Sequence, residues 1–195
     1  MYYARHVRRG AVAAAAIVSA ACSSGTSPQN RACYVTDPAG DFIPSFAGPN
    51  NPDLDARTMH VTYDGTTFDF AATVNGTIGQ TAGAVYVWGI NRGAGTARFG
   101  SIATGVLFDA VLIVKPDGTG SVRDFITSVS TALPASAVTI NGTSIDVHVA
   151  ASLLPTQGFA PGAYTTNFWP RTGLASNSQI ADFAPDNSMA PVCLR

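Results

Sequence analysis

Residues 59–76 read MHVTYDGTTFDFAATVNG, and this stretch decides the fold class. Apolar and polar residues alternate from Met59 to Tyr63 and again from Phe68 to Val74, which is the period of a half-buried β-strand. The Asp-Gly pair between the two runs tolerates the positive φ angles of a tight hairpin turn. The stretch therefore predicts two antiparallel strands joined by a hairpin.

The chain on either side of this hairpin continues the pattern of short strands and turns. Residues 84–91 and 106–115 are apolar on both faces, which is typical of central strands in a covered sheet. A second hairpin is expected around Asn141-Gly142. We count about eight to ten short strands, and their spacing favours an all-β domain over residues 33–195, an antiparallel β-sandwich of the jelly-roll or immunoglobulin-like kind.

The composition agrees with an all-β domain. All twelve acidic residues are Asp, and Lys115 is the only lysine. Glu and Lys are strong helix formers that usually fill exposed helix faces, so their scarcity argues against long surface helices. Without residues 1–21 the chain has eight basic residues against twelve Asp, a net charge of −4. A mildly acidic domain binds polyanions poorly, which argues against nucleic acid as a partner.

The first 21 residues have the composition of an export signal. Three arginines within the first nine residues precede an apolar run at residues 11–21. That run is shorter than the roughly 20 residues needed to cross a bilayer permanently. A basic segment followed by a short apolar one that ends in small residues is typical of a removed signal peptide. We therefore expect residues 1–21 to be cleaved and the protein to be exported.

The expected cleavage site, Val18-Ser19-Ala20-Ala21-Cys22, resembles the lipobox of bacterial lipoproteins. The resemblance implies that Cys22 becomes the first mature residue and carries lipid that anchors the protein to a membrane of the cell envelope. Ser19 departs from the family pattern, in which that position is usually apolar. Ordinary cleavage before Cys22 would instead leave a soluble secreted or periplasmic protein. Residues 22–32 lack any apolar period and are expected to form a flexible tether.

Three cysteines in an exported chain leave one of them without a partner. If Cys22 carries lipid, Cys33 and Cys193 are the natural disulfide pair, and they bracket the domain. Closing so long a loop restricts the unfolded chain, which is worth about 5 kcal/mol in the entropic treatment. The alternative is two free thiols, which an oxidising compartment disfavours.

Four Asp residues lie within nineteen positions near the start of the domain: Asp37, Asp41, Asp53 and Asp55. Ca²⁺ takes six to eight oxygen ligands, often loop carboxylates, and close carboxylates repel one another without a cation. The group is therefore a candidate calcium site, although the same residues could simply serve Asp-Pro and Pro-Asp turns. Asp182 and Asp186 are secondary candidates, because a disulfide at Cys193 would bring them close to the first four.

Two further sets of residues are assigned to the interior. Asp109 interrupts an apolar strand, where a carboxylate is costly unless it is paired. We expect it to form an ion pair with Arg92, Arg98 or Arg171, with a ligand or metal role for Asp109 as the alternative. Five strand aromatics are expected in the core, with a sugar-stacking platform as the alternative: Tyr86, Trp88, Tyr164, Phe168 and Trp169.

The order of these segments resembles bacterial extracellular β-sandwich modules of the carbohydrate-binding family 9 and DOMON type. The resemblance rests on DPAGD at 37–41, PDLDARTMHVTYDGTTFDFAATV at 52–74 and QIADFAPDN at 179–187. It is concentrated in residues 37–74, about a fifth of the chain. It implies a sandwich fold, calcium bound near the four Asp residues, and sugar or haem binding in some members.

The sequence contains no G-x-S-x-G, H-E-x-x-H or C-x-x-C motif. We therefore expect a non-catalytic, exported and lipid-anchored β-sandwich that binds an extracellular ligand, preferably carbohydrate, with structural calcium. One alternative is a structural or adhesive envelope protein without a small ligand. Another is a secreted hydrolase that uses a pair of Asp residues.

Overall fold

The structure is a computed structural model that describes residues 1–2 and 33–195. The expected export signal from residue 3 onward, Cys22 and the tether at 22–32 lie outside the described residues. The strands are β1 (Tyr34–Thr36), β2 (Ala56–Tyr63), β3 (Thr67–Val74), β4 (Val85–Asn91), β5 (Thr96–Ala97), β6 (Leu107–Phe108), β7 (Ala110–Val114), β8 (Gly120–Asp124), β9 (Ser130–Ala132), β10 (Val138–Asn141), β11 (Ser144–Ala150), β12 (Thr165–Arg171), β13 (Ala190–Pro191) and β14 (Cys193–Leu194).

Helical structure in this part of the chain is limited to five single 3₁₀ turns. They are Pro52–Leu54, Ala135–Ala137, Ala151–Leu153, Pro161–Ala163 and Asn177–Gln179. None of them has the length or hydrophobicity that a membrane-spanning helix requires. The scarcity of Glu and Lys predicted this absence of long helices.

Two six-stranded sheets pack face to face as a sandwich, which confirms the predicted fold class. The first sheet has the order β1-β2-β3-β11-β10, with β14 added in parallel beside β2. The second sheet has the order β13-β12-β4-β7-β8-β9, and β5 pairs only with β6. The strand count is higher than the predicted eight to ten, because strands of two or three residues are too short to show an apolar period.

The predicted hairpin forms between β2 and β3, where Tyr63 pairs with Phe68. Gly65 in the turn has a φ of +102°, a conformation that an L side chain disfavours. Alternate residues of both strands, including Met59 and Phe70, are fully buried between the sheets. The alternation of apolar and polar residues in the sequence therefore predicts which side chains of these two strands fill the core.

The second sheet is covered on both faces, as the apolar residues on both faces of 84–91 and 106–115 predict. The segment 106–115 is not one strand, because it is divided at Asp109 into β6, which pairs with β5, and β7. All seven residues of β4 are buried. Trp88 points into the main core, while Val87 belongs to a second cluster on the outer face of the sheet. Phe99 and Phe108, which come from the segment between β4 and β7, complete that second cluster. This outer layer places a group of aromatic side chains outside the sandwich.

The first and last strands lie one after the other along the same edge of β2. β1 pairs with residues 58–60, and β14 pairs with residues 62–63. This arrangement brings Cys33 and Cys193 together, with their Cα atoms 5.5 Å apart, and they form the predicted disulfide. The bond joins the two ends of the domain across 160 residues of sequence.

Candidate calcium site

A tight loop after β1 carries the first two candidate carboxylates. The backbone N–H of Asp37 donates to the carbonyl of Arg57 at 2.9 Å, which holds the loop against the start of β2. Gly40 turns the chain with a φ of +80°. Its N–H donates to Oδ2 of Asp55 at 2.9 Å. The loop therefore directs Asp37 and Asp41 towards Asp55.

Asp182 approaches the same place from the other end of the domain. Its Oδ2 accepts a hydrogen bond from the N–H of Ala56 at 2.9 Å, and its Oδ1 accepts one from the N–H of Phe183 at 2.8 Å. The side chain is 1% exposed. Two backbone donors therefore fix a buried carboxylate beside the first residue of β2.

Five carboxylates meet in two overlapping groups. One group consists of Asp37, Asp41 and Asp186, and the other of Asp41, Asp55 and Asp182. Within each group the candidate ligand oxygens lie within 4.8 Å of one another. Asp41 belongs to both groups and is exposed, so it faces solvent where an ion would enter.

The structure brings together three of the four carboxylates that the sequence nominated. The fourth, Asp53, lies in the first 3₁₀ turn and is turned towards Thr81 instead. Its Oδ2 accepts the Thr81 N–H at 2.7 Å, and its Oδ1 accepts the Thr81 hydroxyl at 2.5 Å. Both oxygens of Asp53 are thus engaged in fixing the segment before β4.

Two carboxylate oxygens in the cluster are buried without a hydrogen-bond partner. They are Oδ2 of Asp37 and Oδ1 of Asp55, on side chains that are 6% and 2% exposed. The described residues also provide no cation, since the ion pairs of residues 33–195 involve Asp69, Asp109 and Asp124 only. A buried carboxylate without a counter-charge is costly, so these oxygens require either a proton, such as one that Asp37 shares with Asp182, or a cation.

Burial and mutual repulsion raise the pKa values of two carboxyl groups in this cluster. Burial, followed by repulsion from Asp182, Asp41 and Asp186, raises the pKa of Asp37 to about 8. Burial also raises the pKa of Asp182 to about 7, although the N–H groups of Ala56 and Phe183 oppose the change. Without a metal the cluster therefore retains protons near neutral pH, and a divalent cation would displace them.

The set of donors fits calcium. All five side chains offer oxygen, and Ca²⁺ accepts six to eight oxygen ligands in flexible geometry, including bidentate carboxylates. Mg²⁺ demands a near-ideal octahedron and usually keeps several waters, so it matches a crowded carboxylate cluster less well. Asp37 and Asp55 belong to different groups, so the residues present would hold a calcium ion within either group, through Asp41 together with the buried oxygen of Asp37 or of Asp55.

Sequence reasoning missed one supporting residue of this cluster. Asn75 donates from Nδ2 to Oδ2 of Asp55 at 3.0 Å, which leaves Oδ1 of Asp55 as the free ligand atom. In the sequence, Asn75 precedes Gly76, and such an Asn-Gly pair indicates only a turn. The proximity of Asp182 and Asp186, in contrast, followed from the disulfide.

The assignments to the interior are confirmed. Asp109 pairs with Arg92 rather than with Arg98 or Arg171. The five strand aromatics are all buried, with exposures of at most 1%. They therefore form core, and none of them is an exposed stacking platform.

No protein-family model matches this chain, and comparison with curated proteins finds no significant match. The fold supports the β-sandwich that the carbohydrate-binding family 9 and DOMON resemblance implies. Many unrelated functions occur on sandwich folds, so the function has to be argued from the site.

Proposed function

We propose that this protein is an exported, non-catalytic β-sandwich that binds Ca²⁺ through five carboxylates and presents an extracellular ligand surface. The proposed calcium ligands are Asp37, Asp41, Asp55, Asp182 and Asp186. The observation that carries the proposal is the pair of buried, unpartnered carboxylate oxygens on Asp37 and Asp55. Close carboxylates repel one another, and a cation bound between them removes that repulsion.

The ion would act as a cross-link between the two ends of the domain. Asp37 and Asp41 lie just after Cys33, and Asp182 and Asp186 lie before Cys193. A calcium ion shared between these segments would hold the loop after β1 against the segment that follows β12. Its role is structural, because a ligand that binds only the folded state stabilises that state.

Isothermal titration calorimetry with CaCl₂ on the purified protein tests the calcium site. We expect Asp41→Asn to weaken binding at least tenfold, because Asp41 belongs to both carboxylate groups. Asp41 is exposed, so the variant should fold normally. The matched control is Asp146→Asn, which removes an exposed carboxylate from β11 on the first sheet.

Three outcomes would refute the calcium site. They are no heat of binding at millimolar CaCl₂, equal affinity in the Asp41→Asn variant, and equal weakening by Asp146→Asn. MgCl₂ in parallel measures selectivity, and we expect it to bind more weakly than CaCl₂.

Carbohydrate is the proposed extracellular ligand, on the strength of the family 9-like segment order. Because the strand aromatics are core, the sugar would bind through side chains outside that set. A glycan array probed with and without calcium tests this part of the proposal. The absence of any glycan signal with calcium bound would favour the structural or adhesive alternative.

Export and lipid anchoring at Cys22 complete the proposal. The support is the basic and then apolar N-terminal segment, the lipobox-like residues 18–22 and the disulfide between the other two cysteines. Intact mass of the protein extracted from membranes tests all three features together. Recovery of the protein with residues 1–21 attached would contradict export by cleavage.

A further inference from the structure

An open groove of about 290 Å³ lies on the outer face of the second sheet, apart from the carboxylate cluster. Its floor is apolar and is formed by strand residues such as Val87, Val111 and Trp169, together with Phe99 and Phe108. Trp169 packs edge-on against Phe99, with ring centroids 5.0 Å apart. These floor residues are at most 5% exposed, so they form the packed base of a groove whose volume is close to the lower end of the range for small-molecule sites, about 300 Å³.

Three arginines surround this floor, and no acidic residue lines the groove in the described chain. Arg98 and Arg123 both lie against the ring of Phe125, with guanidinium carbons 4.4 and 5.5 Å from its centroid. Both arginines are exposed. Neither forms an ion pair within residues 33–195. In a chain with an excess of Asp, this local excess of positive charge is unusual.

The third arginine, Arg171, is a buried cation without a carboxylate partner. It is 7% exposed and donates from Nε to the carbonyl of Gly173 and from Nη2 to the carbonyl of Ser176 at 2.8 Å. Burial alone lowers its pKa, since no carboxylate opposes the effect. A buried charge is costly unless it is paired, so an anion in the groove would compensate Arg171.

We propose that this groove binds a small organic anion with an apolar body, in which a carboxylate or sulfonate meets the arginines and a ring or alkyl group covers the aromatic floor. Arg98 and Arg123 supply the exposed positive charge, and Arg171 supplies the buried charge. The floor contains few neutral polar groups, and Asn177 is the one such side chain in the lining. A ligand rich in hydroxyl groups would therefore leave many of them without partners.

Four probe ligands distinguish the contribution of the ligand's negative charge from that of its apolar group. They are 2-naphthoate, octanoate, 2-naphthalenemethanol and galacturonate. Calorimetry with the purified protein should detect 2-naphthoate, octanoate or both, which distinguishes an aryl from an alkyl ligand. The neutral alcohol should bind at least tenfold more weakly, the loss expected for one charge-assisted hydrogen bond. Arg98→Gln combined with Arg123→Gln should weaken naphthoate binding by at least tenfold. The control Arg195→Gln alters an exposed arginine that pairs with Asp69 on the first sheet.

A second measurement does not depend on the variants. The chain has two tryptophans, and Trp169 lines the groove whereas Trp88 lies between the sheets. Naphthoate should shift the NMR signal of the Trp169 indole N–H and leave that of Trp88 in place. Binding of galacturonate alone, equal affinity for the neutral alcohol, no binding at 1 mM, or equal weakening by Arg195→Gln would each overturn the proposal.

Discussion

Arg92 and Asp109 form an ion pair that is wholly enclosed by protein, with Nε of Arg92 2.6 Å from Oδ1 of Asp109 and both side chains 0% exposed. Asp109 Oδ2 also accepts the N–H groups of Arg92 and Ala94, and Arg92 Nη1 reaches Asp124 at 3.0 Å. The pair ties the end of β4 to the break between β6 and β7. It explains why a carboxylate interrupts the apolar run at 106–115.

Replacing one member of this pair should therefore destabilise the protein strongly. We expect Asp109→Ala to lower the free energy of unfolding by about 3–5 kcal/mol, because Arg92 would remain buried without its closest counter-charge. Urea unfolding measures the change, with Asp146→Asn as the control for loss of an exposed carboxylate. A loss below about 1 kcal/mol would mean that Asp124 alone compensates Arg92.

The raised pKa values of the carboxylate cluster predict how stability depends on pH. Asp37 and Asp182 have pKa values of about 8 and about 7 in the folded state, against an ordinary value of 3.8. The folded state therefore binds more protons than the unfolded state between these limits. The stabilising contribution of the two protonated groups is complete below pH 3.8 and is lost as the pH rises through 7 and 8.

We expect the calcium-free protein to become less stable between pH 6.5 and 8.5, and excess CaCl₂ to abolish most of this loss. The window lies above the pKa of His60, which burial lowers from 6.5 and which acts in the opposite direction. Urea unfolding in EGTA and in CaCl₂ at several pH values measures both effects. Asp37→Asn should flatten the profile in EGTA. A calcium-free profile that is level or rises with pH would contradict the raised pKa values.

The disulfide should contribute a large part of the stability. Linking Cys33 to Cys193 closes a loop with a sequence separation of 160 residues. The entropic treatment assigns such a loop about 5 kcal/mol, and measured losses are typically 2–5 kcal/mol. We expect the double variant Cys33→Ser/Cys193→Ser to lower the free energy of unfolding by about 2–5 kcal/mol. Urea unfolding of the double variant, compared with the parent under non-reducing conditions, provides the measurement; unchanged stability would show that the strand pairing of β1 and β14 suffices.

Local sequence patterns predict the hairpins of this fold. The β2–β3 hairpin follows from alternation and Asp64-Gly65, and the β10–β11 hairpin from Asn141-Gly142, where Gly142 has a φ of +59°. Asn75-Gly76 has the same turn chemistry but forms no hairpin. There a Cβ on Gly76 would lie 2.7 Å from Pro52 Cβ, so the glycine serves close packing instead.

The candidate sites likewise contain some residues that lie close together in the sequence and others that only the tertiary fold brings together. Asp37, Asp41 and Asp55 lie close in sequence, so composition alone nominates them. Asp182 joins them only because the disulfide and the parallel pairing of β14 with β2 bring the chain ends together. The arginine-lined groove has no local signature at all. Its walls come from distant segments that include Arg98, Arg123 and Arg171, and only the packing of the outer layer unites them.

A substitution at Gly89 in β4 tests the groove by changing the packing of its floor, whereas the arginine substitutions change its charge. A Cβ there would lie 2.5 Å from Cη2 and 2.6 Å from Cζ3 of Trp169, so the indole ring lies directly over the Gly89 backbone. Gly89→Ala should therefore cost about 1–3 kcal/mol, the usual range for overpacking. It should also displace Trp169 and weaken naphthoate binding. Ala132→Val on the exposed strand β9 is the control for adding methyl groups to a strand.

A double-mutant cycle isolates the contact between these two residues. In a Trp169→Leu background the Gly89→Ala substitution should cost much less, because the smaller side chain removes the clashing atoms. Urea unfolding of the two single variants and the double variant gives the interaction energy. If Gly89→Ala costs the same with Trp169 as with Leu at position 169, strand propensity and not the indole explains why a glycine occupies the centre of a fully buried strand.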